Sequence, residues 1–117
     1  MASGQCTQLW LPYRNLDVGT TGAVVKASPG EIGGWFISNS NSSSGMFLKI
    51  YDKATAATSS DTPKITIYIP ASGAANLLGN SGIDFQLGIS IRATTGVADN
   101  DTGAPSANNV IANIFYQ

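Results

Sequence analysis

Histidine is absent from this sequence of 117 residues, and Cys6 is its only cysteine. Without an imidazole, Ser-His-Asp and Cys-His catalysis, HExxH zinc sites and the usual general base near neutral pH are excluded. A single cysteine can form no internal disulfide and no thiolate cage. Lying among small and polar residues with no histidine to activate it, Cys6 reads as a bystander rather than a nucleophile. Charge is scarce as well: Asp, Glu, Lys and Arg make up 11% of the chain, with a net charge of -1, against about 25% charged residues in ordinary globular proteins. The surface must therefore be polar through Ser, Thr, Asn and Gly. Such a surface has no field to steer it toward nucleic acid or anionic lipid, and the aromatics are too few for a base-stacking platform. No apolar run approaches the roughly 20 residues that cross a bilayer. The opening "MASGQCTQLWLPYR" has neither a basic start nor an apolar h-region, so no Sec-type signal is expected and synthesis in a reducing cytoplasm is. No GxGxxG between strand and helix and no P-loop lysine is found.

What is present is β-patterning. In "IDFQLGISIR", Ile83, Phe85, Leu87, Ile89 and Ile91 hold every odd position and polar residues or Gly88 the even ones. That period of two predicts one half-buried strand with Gly88 at a bend or close approach. "KITIYIP" repeats it with Ile65, Ile67 and Ile69 until Pro70 stops the ladder. "GGWFISNS" puts Trp35 and Ile37 on one face, which reads as core. "MFLKIYD" puts Met46, Leu48 and Ile50 on one face with Lys49 and Tyr51 opposite, and "TGAVVKAS" and "NVIANIFYQ" are rich in β-branched residues. The only helical hint is a short turn near Ala74–Leu78. About seven to eight strands separated by Gly/Ser/Asn turns predict an all-β, single-domain antiparallel sandwich of jelly-roll type. The chain is long enough for one real core, burying roughly two-thirds of its unfolded surface.

The first twenty residues differ. "QLWLPYRNLD" is apolar and aromatic but interrupted by Pro12, which predicts an edge position or an extended arm. The division expected is an N-terminal extension over residues 1–20 and a sandwich over 21–117. Leu9, Trp10, Leu11, Pro12, Tyr13 and Arg14 either cover one end of the core or offer an apolar surface to a partner.

Two constellations stand out as candidate sites. "TTGVADNDTGAPSANN" offers Asp99, Asn100, Asp101 and Thr102 beside Gly103. Counted as an EF-hand from Asp99, position 3 is Asp101, but position 5 is Gly103 and position 12 is Val110, where a bidentate Glu belongs. The reading adopted is a turn-shaping loop between the last two strands, with no metal and those four residues available to a neighbouring subunit. The carboxylates Asp17, Glu31, Asp52, Asp61, Asp84, Asp99 and Asp101 sit mostly beside turns or lysines. A glycosidase needs two across a cleft, and no such pair is expected. The chain is therefore not expected to be an enzyme or to carry a cofactor or small-molecule substrate.

The segments "GWFISNS", "LKIYDKATA", "DTPKITIYIPASGAANL" and "GIDFQLGISIRATTGVADNDTGAPSANNVIANIFY", in that order, resemble small virion proteins of tailed bacteriophages, cyanophage-like ones especially. The resemblance covers residues 21–117 and leaves the N-terminal twenty outside it. It implies a β-sandwich capsid decoration (cement) protein on the outer head surface, bound to the major capsid protein and assembled as a homotrimer, with no nucleic acid or membrane partner. The competing expectation is a tail-tip or receptor-binding module in which Trp35, Tyr51 and Tyr68, with the "SNSNSSSG" loop, read a host glycan.

Overall fold

Residues 9–117 are described by a computed structural model, except for the side chain of Asn80. Cys6 and the first eight residues of the expected extension lie outside that range. Among the described residues the regular structure is entirely strand, because every apolar stretch alternates with period two or is too broken by Gly and Pro to hold a helical stripe. Eight strands follow in order: β1 (Leu11–Asn15), β2 (Ala23–Lys26), β3 (Gly30–Asn39), β4 (Met46–Asp52), β5 (Ile65–Ile69), β6 (Ala74–Phe85), β7 (Ile89–Thr94) and β8 (Val110–Tyr116).

They form two four-stranded antiparallel sheets, ordered β1-β8-β3-β6 and β2-β7-β4-β5. Each step from one strand to the next either crosses between sheets or makes a hairpin, and the two interleaved orders are the double Greek key of a jelly roll. The sequence-based expectation of an antiparallel sandwich of about seven to eight strands therefore holds. The core lies between the sheets. Trp35, Ile37, Ile114 and Ala112 enter from the first sheet, and Leu48, Ile50, Ile91 and Ala93 from the second. Within the second sheet the register sets Ile50 beside Ile91 and Leu48 beside Ala93, all facing the core.

Three local expectations are corrected. "IDFQLGISIR" is not one strand. The chain leaves the first sheet at Phe85 and enters the second at Ile89, and both halves keep their phase because both sheets face the same core. Leu87, in phase by sequence, is 62% exposed at the corner. The turn is capped by Asp52, whose carboxylate accepts from the amides of Gln86 (3.1 Å), Leu87 (2.8 Å) and Gly88 (3.4 Å). Gly88 does serve a close approach: a Cβ there would stand 2.6 Å from the Ala54 Cα and 2.8 Å from the Lys26 carbonyl oxygen. The helical turn at Ala74–Leu78 is instead the start of β6, paired residue for residue with β3 from Ser38 to Gly34; ladder hydrogen bonds override a weak local preference.

The boundary at residue 20 also moves. Leu11–Asn15 is an edge strand paired with β8, Val18 is core, and the Val18 amide donates to the Val110 carbonyl at 3.0 Å. Pro12 is tolerated because β1 has a partner on one side only. Residues 11–20 therefore belong to the sandwich.

Candidate functional site

The sandwich turns two outer faces to its surroundings, and they differ in kind. On the first sheet, the register aligns Pro12, Phe115, Gly34 and Leu78 in one row and Arg14, Asn113, Phe36 and Asn76 in the next. Their neighbours in each strand, such as Tyr13, Ile114 and Trp35, face the core, so both rows must face outward. Phe36 and Phe115 meet edge to face with centroids 5.5 Å apart, while Phe36 remains 41% and Leu78 76% exposed. Gly34 lies between Phe115 and Leu78 in the register, and the Leu77 carbonyl oxygen packs so closely on it that a Cβ would stand 2.5 Å away. Arg14 is the single charge in these rows. A contiguous apolar face with aromatic centre and amide rim is the composition of an interaction surface.

The residues expected at a partner surface are divided by the fold. Leu9, Leu11, Pro12 and Arg14 are exposed on or beside β1. Tyr13 points inward and packs on the core, its hydroxyl accepting from the Asn15 side-chain amide at 3.1 Å. Trp10 lies over Gly33: a Cβ there would stand 2.7 Å from the indole ring. Gly33 falls where the β3 register slips against both neighbours, and the absent side chain makes the indole's seat. Of the six, Trp10 and Tyr13 are thus committed within the chain.

The centre of the second sheet's outer face, on β4 and β7, is polar and covered, while Phe47 and Tyr68 toward its β5 edge form a partly exposed aromatic pair. Lys49, Tyr51, Ser90, Arg92 and Thr94 all point away from the core, yet none exposes more than 2% of its surface. The segments before β2, after β4 and between β7 and β8 fold over them. Arg92 ties these together. Its Nε donates to the Thr20 carbonyl (2.8 Å), one terminal nitrogen to the Tyr51 hydroxyl (3.0 Å) and the other to the Asp101 carbonyl (3.2 Å). Lys49 donates to the Ala98 carbonyl. Burial holds the Lys49 ammonium below the ordinary lysine pKa, and Arg92 pushes the same way, while Asp101 and Asp99 oppose them.

This geometry explains "ADNDTG". Asp101 accepts from the amides of Gly103 (2.8 Å) and Gly96 (3.3 Å), closing the loop on itself, and the Thr95 amide donates to the Gly103 carbonyl at 3.0 Å. The carbonyls of Ala98 and Asp101 that a cation could have used are taken by Lys49 and Arg92. Asp99, Asn100 and Thr102 stay exposed. No group of three or more potential metal ligands occurs among the described residues.

The carboxylates are mostly engaged in structure. Asp17 accepts from the Asn108 amide (2.8 Å), which helps hold Asn108 at its positive φ of 62°. Asp61 accepts from Lys53 (2.7 Å) and the Thr58 amide (2.8 Å). Glu31 and Asp84 are direct cross-strand neighbours on β3 and β6, an acidic pair that the sequence alone did not bring together. The glycan-reading set expected for a receptor module is not assembled: Trp35 and Tyr51 are buried, and only Tyr68, against Phe47 with ring centroids 5.3 Å apart, is exposed.

A depression of about 370 Å³ opens on this second face between the three covering segments, with Arg92 among its lining residues and no carboxylate among them. Sequence reasoning missed it, because Arg92 occupies the polar phase of its strand and reads as solvent-facing. The signal available was the connection from 95 to 109, longer than ordinary loops. No helix among the described residues is long and apolar enough to cross a membrane. Comparison with family models, with curated proteins and with solved structures finds no match to the chain.

Proposed function

We propose that this protein is a bacteriophage capsid decoration protein, binding the outer surface of the head and reinforcing contacts between major capsid protein subunits. The observation that carries the reading is the outward face of the first sheet, where Phe36, Phe115, Leu78 and Pro12 form an apolar field with one charge. The exposed β1 edge adds unpaired backbone donors and acceptors for strand addition. A jelly roll without histidine, with its carboxylates largely engaged in loop structure, suits adhesion better than turnover. Trimeric assembly would multiply a weak contact by avidity.

The test is co-sedimentation of the protein with undecorated heads, beside light scattering of the free protein. Head binding and a trimeric mass are expected. Leu78→Lys, at a position 76% exposed, is expected to abolish pelleting with the heads while leaving the unfolding free energy within about 0.5 kcal/mol of the parent. Binding to host cells without binding to heads would replace this function with receptor recognition.

A further inference from the structure

We propose that the depression on the outer face of the second sheet binds an acidic saccharide, with Arg92 taking its carboxylate or sulfate ester and the rim taking its hydroxyls. The cavity, about 370 Å³, lies at the lower end of the roughly 300–1,000 Å³ typical of small-ligand sites. Apart from Arg92, every polar side chain lining it is a hydroxyl: Thr20, Thr21, Thr58, Ser59 and Thr102. No aromatic ring lines it, so recognition rests on hydrogen bonds and charge rather than stacking.

The charge is what calls for an anion. Arg92 is 2% exposed and carries five N–H donors. Its three acceptors, the Thr20 carbonyl, the Tyr51 hydroxyl and the Asp101 carbonyl, are all neutral. The ion pair found among the described residues is Lys53–Asp61, on the loop beyond the cavity's edge. With no carboxylate among its acceptors, Arg92 retains part of its desolvation cost. The Asp101 and Asp99 carboxylates act through space on the neighbouring Lys49 and form no ion pair with Arg92. Lys49, fully buried, stands directly opposite Arg92 in the β4–β7 register, and like charges so placed are destabilising. An oxyanion over Arg92 offsets both costs, using the two guanidinium N–H groups that have no acceptor among the described residues.

The walls are preorganised, which lowers the ordering cost of binding. Gly22 packs so closely on Ala56 and Ala57 that a Cβ would overlap their backbone. The Ala57 amide donates to Ser90 Oγ at 2.9 Å. The Thr58 amide and hydroxyl both donate to Asp61. The site also lies on the opposite side of the sandwich from the apolar face, so a protein docked through its first sheet leaves it open.

The experiment is calorimetric titration of the full chain with glucuronate, glucose 6-sulfate, glucose, acetate and inorganic sulfate at low salt. At least one acidic sugar is expected to bind roughly tenfold or more tightly than glucose and than the simple anions, as a charged hydrogen bond and added hydroxyl contacts require. Added salt should weaken that binding. Ala56→Phe, at an exposed rim position, should abolish it with the melting temperature unchanged, and Ser59→Ala with Thr102→Ala should weaken it several-fold. Acetate or sulfate binding as tightly as the acidic sugars would overturn the saccharide assignment. Glucose binding equally would overturn the role of Arg92, and binding of none would overturn the site. Head pelleting in saturating glucuronate is a separate readout, so either proposal can fail alone.

Discussion

Replacing Arg92 with Met keeps the side chain's length and apolar stem while removing every donor. Three acceptors are then released. The Tyr51 hydroxyl, on a side chain 1% exposed, has no route to water, and leaving such a group unpaired costs about 1–3 kcal/mol. The Thr20 and Asp101 carbonyls belong to half-buried residues and can rehydrate, so each loses about 0.5–1.5 kcal/mol. Removing a buried charge returns part of its desolvation cost. The net expectation is a loss of about 2–4 kcal/mol, a large share of the roughly 5–15 kcal/mol that holds a domain together. Lys49→Met is the control. The Ala98 carbonyl keeps the Asp101 amide at 3.0 Å, and the like-charge contact with Arg92 is relieved, so the expected cost is below about 1 kcal/mol. Urea unfolding followed by tryptophan fluorescence measures both, with unchanged m-values as the check that the comparison is two-state. An Arg92→Met protein within 0.5 kcal/mol of the parent would falsify the claim that the guanidinium anchors these three segments.

Two further outcomes follow from the fold. Gly88→Ala drives a Cβ into backbone atoms of Ala54 and Lys26 that cannot swing aside, and should cost about 1–3 kcal/mol by chemical denaturation. Gly19→Ala meets nothing within 4 Å and should stay within about 0.5 kcal/mol; equal costs would remove the steric account of the corner. Acid should weaken the protein through two carboxylates. Burial opposes the charged form of Asp52, but the amides of Leu87, Gln86 and Gly88 outweigh it, and Lys53 with the Thr58 amide does the same for Asp61, so both pKa values fall below the ordinary 3.8. A depressed carboxylate pKa supplies stability above the unfolded value and loses it as pH falls through the folded one. The urea midpoint should therefore hold from pH 7 to about 5 and fall below about pH 4, with a shallower fall in Asp52→Asn. A midpoint unchanged down to pH 2 would sink that assignment.

Much of the fold was legible because strand patterning is local. The alternation at Ile65–Ile67–Ile69 and at Met46–Leu48–Ile50 needs only a pleat and one buried face. It could not show that Phe85 and Ile89 lie in different sheets, since a strand crossing from one inner face to the other keeps its phase. Nor could it separate a polar residue facing water from one facing a folded-back loop, which is why Lys49 and Arg92 read as surface. The loop at 99–103 departs from EF-hand spacing in the sequence itself, but the partners of its carbonyls, Lys49 and Arg92, lie on strands far away in the chain.

Composition and spacing by themselves determined the β class, the single core, the absence of imidazole chemistry and which side of β4 and β5 turns inward, because these depend on residues a few positions apart. Tertiary structure alone decided the strand order, the place of Leu11–Asn15 as an edge of the sandwich, the seat of Trp10 on Gly33, the acidic pair Glu31–Asp84 and the buried cations under the covering loops. Each of those joins segments distant in the chain, and which distant segments meet is chosen by the packing of the whole core rather than by any local preference.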